Sequence, residues 1–419
     1  MASKQILSVI EINDNRAILV TGEFLNSRLN ILKVDEEKIE GVENGLVINS
    51  ALLCTSLKNL VERSSRQLNI AIQKAILIIP DFSVKRVHGK ATTTITNSDR
   101  RITAFDIRRT IKEAIRGAEE PDSELVNVIT PCFFVNKVPY DDPPIGEIAD
   151  LLEIEIDLLY ADRKVTHQYV AACEKSGLKV IDICLSSYAA AKEMALFEES
   201  ENKVLVTINL QESYTSLAIF LNNRLLKCVK MSSGYGAWLQ DIVSKTGIET
   251  EEARKLCREA LELDDYRNQT TVYYSEDKDD LEGISQGKLN QEARNGLNKW
   301  IETLASTCSR LIADKGQVVY YLYGDCCDIK GISERLKEEL KAEKVSIYIP
   351  GTIGVRDSLM TAVLGAFYVY SDSAYLLDKL ESSIDMAAFN KIISESYIKP
   401  ERKITEKIKN IFLRTDLED

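Results

Sequence analysis

Hydrophobic and polar positions follow one pattern at two places in the chain. Residues 6–29 (ILSVIEINDNRAILVTGEFLNSRL) and 204–225 (VLVTINLQESYTSLAIFLNNRL) each contain an apolar strand, a polar turn and a second strand of alternating pattern. Both end in nearly the same hexapeptide, FLNSRL in the first and FLNNRL in the second. The repeat predicts two β-hairpins that begin two related domains.

Helix-like and strand-like segments alternate after each hairpin. The amphipathic pattern of 49–68 precedes the apolar run AILIIP at 75–80, and the helical pattern of 289–314 precedes VVYYLYG at 318–324. Short apolar runs are typical of buried strands. This alternation predicts an α/β fold with a mainly parallel inner sheet. A duplicated α/β domain that begins with a hairpin is the actin-like (ribonuclease H-like) architecture.

Two intervals depart from the alternation and are interpreted as inserted subdomains. The first, 86–162, contains the helix pattern ITAFDIRRTIKEAI between two strand patterns, and the second, 237–315, is nearly all helical around a polar stretch, 264–288, interpreted as a solvated loop. The other ranges are 1–85 and 163–200 for the first core, 201–236 and 316–372 for the second core, 373–398 for a linker and 399–419 for a C-terminal amphipathic helix.

Composition narrows the classes of function. The 419 residues include 53 basic and 65 acidic ones, a formal charge of −12, which gives no overall attraction to nucleic acid. The nine cysteines lack the paired spacing of structural zinc, and their odd number suits reduced thiols in a cytoplasmic protein. No run approaches the roughly 18 to 20 apolar residues that cross a bilayer. Any membrane contact is therefore expected at the membrane surface.

Segments along nearly the whole chain resemble, in order and spacing, those of one known family. They are ITAFDIRRTIKEA at 102–114, VITPCFFVNKV at 128–138 with Pro144-Ile145-Gly146, CEKSGLKVIDICLSSYAAAKEMAL at 173–196, Gly234 and Asp241, GDCCDIKGI at 324–332 and TAVLGAFYVY at 361–370. The family is the bacterial cell-division protein FtsA, whose own subdomain corresponds to the first insertion.

The resemblance to FtsA implies an adaptor rather than an enzyme. It implies self-association in an actin-like manner, docking of the C-terminal tail of FtsZ on the second insertion, and attachment to the inner face of the cell membrane at the division site. Apolar positions of that insertion should form its core and a groove, most of them belonging to the core. They are Trp300, Ile301, Leu304 and Leu311.

The chain departs from the family at the nucleotide cleft. Where the family's first turn carries Asp, Gly and Lys, the chain has Glu11, Asn13 and Arg16. The family's second turn, Asp-Ile-Gly-Gly-Gly-Thr-Thr-Asp, is replaced by NLQESYTS at 209–216. The adenosine-side loop has Asp325 for its second glycine, and the chain has a cysteine, at position 257, where the family's Lys packs on adenine.

These replacements argue against nucleotide chemistry. Backbone N–H groups reach a phosphate only where no side chain blocks them, and Asn209 and Ser216 remove carboxylates that would position Mg²⁺ and water. The sequence thus predicts no ATP hydrolysis, no catalytic residue and no metal site, and it assigns ATP with Mg²⁺ only as the family's ligand. The degenerate cleft comprises Glu11, Asn13, Arg16, Asn209, Gln211, Glu212, Ser213, Gly234, Gly324 and Asp325.

The C-terminal residues 399–415 (KPERKITEKIKNIFLRT) predict an amphipathic helix that begins at Pro400. At about 100° per residue, four apolar side chains lie within one quadrant and basic side chains flank them. The segment is locally positive, as a helix on an anionic membrane should be; packing of the helix on the body is the alternative. The predicted membrane-binding residues are Lys403, Ile404, Lys407, Ile408, Ile411 and Phe412.

Other functions remain open at this stage. An actin-fold ATPase or sugar kinase needs glycine turns and a catalytic Asp, which 209–216 lacks. The first insertion argues against a plasmid-segregation protein, whereas a pilus-assembly adaptor shares an insertion of that kind. His88 and His167 are interpreted as surface or hydrogen-bonded histidines, because neither neighbours a nucleophile motif.

Overall fold

The computed structural model describes residues 5–25, 28–140, 142–274, 283–312, 318–377 and 381–391. The first elements are β1 (Gln5–Ile12), β2 (Arg16–Leu25), β3 (Arg28–Lys38), β4 (Val42–Glu43), β5 (Leu46–Val47), α1 (Ser50–Leu68) and β6 (Lys74–Ile79). β1 and β2 form the predicted N-terminal hairpin. All residues of β1 after Gln5 are buried, because helices cover both faces of this sheet.

The first insertion is an antiparallel sheet covered by one helix. Its elements are β7 (Lys85–Thr94), α2 (Ala104–Arg116), β8 (Ser123–Val135), β9 (Val138–Tyr140) and β10 (Leu151–Asp162), with the strand order β7-β10-β8-β9. Thr103 and Asp106 form a capping box that fixes the start of α2. Ile107 and Ile111 of this helix are buried in the core of the insertion.

The chain then returns to the first core through α3 (Arg163–Lys175), β11 (Lys179–Leu185), α4 (Ser186–Glu193) and α5 (Leu196–Glu199). The sheet has the order β11-β6-β1-β2-β3. Only β1, β6 and β11 run parallel, while β2 and β3 are antiparallel neighbours. The sheet is therefore mixed rather than mainly parallel, because the N-terminal hairpin is extended by a third strand.

The second half repeats this architecture. Its elements are β12 (Val204–Leu210), β13 (Thr215–Leu221), β14 (Arg224–Met231), α6 (Gly236–Thr246), α7 (Thr250–Glu259), β15 (Thr271–Tyr274), β16 (Gly283–Ser285), α8 (Gln286–Leu311), β17 (Val318–Gly324), α9 (Ile332–Leu340), β18 (Lys344–Ile347) and α10 (Thr361–Leu377). The strand order β14-β13-β12-β17-β18 matches β3-β2-β1-β6-β11 position by position. The two cores are thus duplicates in topology, as the repeat in the sequence predicts.

The second insertion is built from α6, α7 and α8. Trp238 of α6 packs edge-on against Trp300 of α8, with ring centroids 5.7 Å apart. Trp300, Ile301 and Leu304 are fully buried, so they belong to the core of the insertion and line no external groove. The polar stretch 264–288 is not only a loop, because β15 and β16 pair within it.

The segment after α10 lies against the first core. Ser383 accepts a hydrogen bond from the Ser8 N–H at 2.7 Å and donates its own N–H to the Ile6 carbonyl at 2.8 Å. Ile384 is buried beside these bonds. The interpretation of 373–398 as a linker is therefore wrong for 381–391, and it is also wrong for 373–377, which belong to α10.

The helix α10 packs against α4 and against the sheet of the first core. A Cβ on Gly365 would lie 1.8 Å from the carbonyl oxygen of Ala189, so the two helices cross at backbone contact. None of the helices in the described ranges is both long and apolar enough to span a membrane. The predicted C-terminal helix, 399–419, lies outside the described residues.

Candidate functional site

The turns of the two hairpins touch each other across the cleft between the halves. Asp14, in the turn between β1 and β2, accepts hydrogen bonds from the N–H of Ser213 at 3.3 Å and from its hydroxyl. Its second carboxylate oxygen accepts from the N–H of Gly45 at 2.7 Å. The neighbouring Asn15 amide donates to the Glu212 carboxylate and, at 2.9 Å, to the Tyr235 hydroxyl. The space between the turns is therefore occupied by protein side chains.

A buried ion pair lies next to this contact. The guanidinium of Arg16, at the start of β2, is 2.5 Å from the carboxylate of Asp325, which follows β17. Both side chains are almost completely buried. Asp325 also accepts hydrogen bonds from the Arg258 guanidinium and from the Tyr235 hydroxyl, both at 2.7 Å. One carboxylate thus binds groups from three separate parts of the chain.

A second carboxylate, that of Glu212, is held by the helix α7. Arg254 donates from Nε to one carboxylate oxygen and from Nη2 to the other, both at 3.2 Å, the fork geometry of a guanidinium. Arg254 and Arg258 are four residues apart, so they project from the same face of α7. Sequence reasoning missed both arginines, although their spacing with Glu251, which pairs with Arg254 at 2.7 Å, was visible as a charged helix face.

Beneath these ion pairs lies a layer of buried polar side chains. Glu11, Asn13 and Asp81 each have a buried side-chain oxygen or nitrogen without a hydrogen-bond partner among the described residues. Burial raises the pKa of Glu11 to about 8, against the opposing effect of the Arg16 guanidinium. Burial also raises the pKa of Asp81 to about 6, although hydrogen bonds from Ser187 oppose the rise. Glu11 is therefore mostly protonated at neutral pH.

The polar residues of the second turn bond to one another. The Asn209 amide donates to the Ser186 hydroxyl at 3.2 Å, and the Gln211 amide donates to the Asn209 oxygen at 2.9 Å. These contacts hold the predicted cleft residues Asn209 and Gln211. All ten predicted positions lie in or beside this cleft, whereas the six predicted membrane-binding residues lie outside the described ranges.

Two glycines of the cleft serve contacts within the protein. A Cβ on Gly234 would lie 2.0 Å from the carbonyl oxygen of Gln211. Gly324 has a φ of +101°, and a Cβ there would lie 2.5 Å from the Leu210 carbonyl oxygen. Both glycines are thus explained by close approach of the second turn rather than by approach of a ligand.

The residues present do not fit the nucleotide of the actin-like fold. The first N–H groups at the α6 start, those of Tyr235 and Gly236, donate to the carbonyls of Gln211 and Glu212 at 3.0 and 2.7 Å, so they do not face a phosphate. A cavity of about 390 Å³ beside Arg16 has an entirely polar lining, formed by Asn15, Arg16, Glu36, Glu37, Lys38, Glu251, Arg254, Lys255, Arg258 and Glu259. A smaller cavity of about 280 Å³, on the far side of Asp325, includes Ile349 and Leu359 in its lining, but the Asp325 carboxylate and its ion pairs lie between it and the two turns. Within the described ranges, no three potential ligand side chains are grouped around a metal position.

A larger cavity, of about 520 Å³, lies between the first insertion and the turn after β13. The charged side chains in its lining are paired. Asp157 binds Arg86 at 3.1 Å, the His88 ring at 3.2 Å and Arg224 at 3.6 Å. The other histidine, His167, contacts Glu124 at 3.1 Å on the surface. Both histidines are hydrogen-bonded, as the sequence predicts. The cysteines all lie in the described ranges and form no disulfide.

Sequence comparison places the chain beside known cell-division proteins. It is 23 % identical over 377 residues to cell division protein FtsA of Bacillus subtilis, and the match covers 87 % of this chain and 83 % of that protein. It is 22 % identical over 375 residues to FtsA of Streptococcus pneumoniae, and this match covers 87 % of the chain and 80 % of that protein. The predicted resemblance to FtsA is confirmed. No model of a known protein family matches the chain.

Solved structures agree on the fold. A chain of the PilM–PilN type IV pilus biogenesis complex matches 87 % of this chain and 98 % of its own length, with a TM-score of 0.55 and 13 % identity. The ethanolamine utilization protein EutJ from Carboxydothermus hydrogenoformans matches 88 % and 91 %, with a TM-score of 0.50 and 11 % identity. The actin-like fold is thus shared by proteins of different function, and the likeness to FtsA rests on the sequence.

The buried Glu11 should make stability depend on pH. Its pKa is raised on folding from an ordinary value near 4.5 to about 8, so unfolding releases a proton between these values and stability falls as the pH rises. Glu11→Gln should remove this loss, up to about 1.4 kcal/mol per pH unit. In chemical denaturation, the variant should match the parent near pH 5 and exceed its free energy of unfolding at pH 9.

The matched control is Glu43→Gln, which changes an exposed glutamate. It should leave the difference between pH 5 and pH 9 as it is in the parent. Asp81 has a shift of the same sign, so a smaller slope below about pH 6 should persist in Glu11→Gln. Parallel pH profiles for the parent and Glu11→Gln would contradict a buried, protonated Glu11.

Proposed function

We propose that the chain is a cell-division adaptor that tethers FtsZ filaments to the inner face of the cytoplasmic membrane and self-associates in an actin-like manner. The observation that carries this proposal is the similarity to FtsA, which spans 87 % of the chain. The similar proteins are cell-division proteins, and this supports a role in cell division for the chain. The contacts with FtsZ and with the membrane are further parts of the proposal, and each is argued separately.

The geometry of the cleft supports an adaptor more than an ATPase. Ion pairs and the two turns occupy the place of the phosphates, and Asn209 and Ser216 stand where the family has carboxylates. A pilus-assembly function is the second candidate, because a chain of the PilM–PilN complex shares the fold. That likeness, at 13 % identity, supports the fold alone, whereas the sequence similarity favours FtsA.

The docking of FtsZ is proposed on the solvent-facing side of α8. The apolar side chains of this helix point into the core, while Gln291, Arg294, Asn295 and Lys299 are exposed. Binding there should therefore rely on polar contacts with the exposed side chains of α8 and should be weak. We expect a dissociation constant in the micromolar range, which is a binding free energy of about −8 kcal/mol.

The FtsZ contact is tested with the C-terminal tail peptide of FtsZ from the same organism. Calorimetry with the full chain should give micromolar binding, and Lys299→Glu should weaken it several-fold because it inverts a charge on the exposed face of α8. Lys58→Glu, a change of the same kind on the exposed side of α1 in the first core, should not. Absence of heat at high peptide concentration, or equal weakening by both variants, would contradict docking on α8.

The membrane contact is assigned to 399–415. Four apolar side chains, each contributing part of the roughly 1.5–3 kcal/mol of full burial, give only a few kcal/mol per copy. The acidic end, Asp416, Glu418 and Asp419, weakens the contact further. Stable attachment should therefore need several tails on one assembly, where effective concentration multiplies the affinity.

Co-sedimentation with anionic liposomes tests this contact. The full chain should sediment, whereas a chain ending at Ser396 and the double variant Ile408→Glu, Phe412→Glu should remain in solution. The control is Leu52→Glu, which places the same charge at an exposed apolar position of the body, and it should sediment like the parent. Equal sedimentation of all four proteins would rule out the tail as the tether.

The absence of ATP turnover is a separate proposal. Because the phosphate turns lack glycines and the metal-side carboxylates are replaced, steady phosphate release from ATP with Mg²⁺ should not exceed that of Glu11→Ala. Measurement uses purified full-length protein at micromolar concentration. Release well above the Glu11→Ala level, and lost in that variant, would show that the degenerate cleft is catalytic.

A further inference from the structure

The contacts between the two halves of the cleft form one connected set. They are the bonds of Asp14 with Ser213, of Asn15 with Glu212 and Tyr235, and of Arg16 with Asp325, supported by Arg254 and Arg258. We call this set the clasp. We propose that the clasp holds the two halves closed by itself, in the place where the actin-like fold uses a nucleotide, so that the closed state of this protein is intrinsic and independent of ligand.

The clasp joins the halves directly. Asp14, Asn15 and Arg16 are three consecutive residues of the first hairpin, and each bonds to a residue of the second half. A bond within one half would leave the angle between the halves free, whereas these bonds fix it. Additional contacts lie at the edges, such as Lys230, whose ammonium donates to the Asn44 carbonyl at 2.6 Å.

The clasp is balanced in charge. The guanidinium groups of Arg16, Arg254 and Arg258 pair with the carboxylates of Asp325 and Glu212, while Asp14 accepts hydrogen bonds from Ser213 and Gly45. Glu36 and Glu251 bring two more carboxylates to Arg16 and Arg254, so the arginines leave no surplus positive charge. A nucleotide cleft, in contrast, needs surplus positive charge or N–H groups for the phosphates. A triphosphate entering here would face Glu212 and Asp325 without an unpaired cation among the clasp residues. The clasp therefore replaces a ligand rather than preparing a site for one.

Burial makes the clasp depend on its central ion pair, Arg16 with Asp325. The Arg16–Asp325 pair is nearly inaccessible to solvent, so loss of either partner leaves a charge buried without compensation. The pair at the rim, Lys38 with Glu251, is exposed and contributes little. The closed state should thus be insensitive to moderate salt and sensitive to single substitutions at the centre.

The closed state is tested by a disulfide across the clasp. Asp14→Cys with Ser213→Cys, in full-length protein with exposed Cys132 changed to Ser, replaces the two side chains that touch. With a mild oxidant and no nucleotide, this pair should cross-link at least about tenfold faster than Asp14→Cys with Asn223→Cys, because residue 223 lies at the far end of β13, about 20 Å away. Peptide mass spectrometry identifies the bond.

ATP with Mg²⁺ should not change that rate. Cross-linking no faster than in the control pair, or cross-linking that requires ATP with Mg²⁺, would overturn the proposal. The FtsZ and liposome measurements do not depend on this outcome, because they concern other surfaces. A failed cross-link would therefore leave the adaptor function standing and remove only the intrinsic closure.

A substitution in the clasp supplies the second measurement. Asp325→Ala leaves Arg16 and Arg258 facing each other and should lower Tm by about 5 °C or more. It should also slow cross-linking of the 14–213 pair. Asp328→Ala removes an exposed carboxylate of the same loop and should change neither. If Asp325→Ala does not fold, Arg258→Gln, partly exposed, takes its place. An unchanged cross-linking rate in the folded clasp variant would contradict the role of Asp325.

Discussion

The Arg16–Asp325 ion pair is the interaction on which the arrangement of the two halves depends. It joins the start of β2 to the loop after β17, and it is buried together with the Tyr235 hydroxyl that donates to the same carboxylate. A buried pair is stable only where geometry and further hydrogen bonds compensate the loss of hydration. Arg258 and Tyr235 supply those bonds here. The position of each half is thereby tied to the other through a few atoms.

Duplication explains why such contacts can form at all. The two sheets have the same strand order, so their first hairpin turns arrive at one cleft from opposite sides. In a glycine-rich turn, backbone N–H groups would remain open toward that cleft. Here the polar side chains of 211–213 fill it, and Asp14 accepts hydrogen bonds from Ser213. The departures from the FtsA pattern are therefore mutually consistent, because a carboxylate on one side meets a donor on the other.

The sequence predicted local structure better than contacts between distant residues. The hairpins, α1, α8 and β17 follow from periodicity, and the ten cleft positions follow from the resemblance to FtsA. The partners of Glu212 and Asp325 could not be predicted, because Arg254 lies 42 residues from the first and Arg16 lies 309 residues from the second. Residues 381–391 were misassigned for the same reason: Ser383 looks like a linker residue until its bonds to Ile6 and Ser8 are known.

A cleft closed by its own side chains restricts where regulation can act. A nucleotide-driven protein changes the angle between its halves as the ligand is bound and released, which requires a ligand with different affinity for the two states. The clasp leaves no such difference to exploit. The conformation presented by α8 and by the first insertion should then be constant, and we expect regulation to act on the proposed self-association instead. That agrees with the proposed membrane contact of 399–415: if one copy attaches weakly, as we expect, attachment would respond steeply to the number of chains in one assembly.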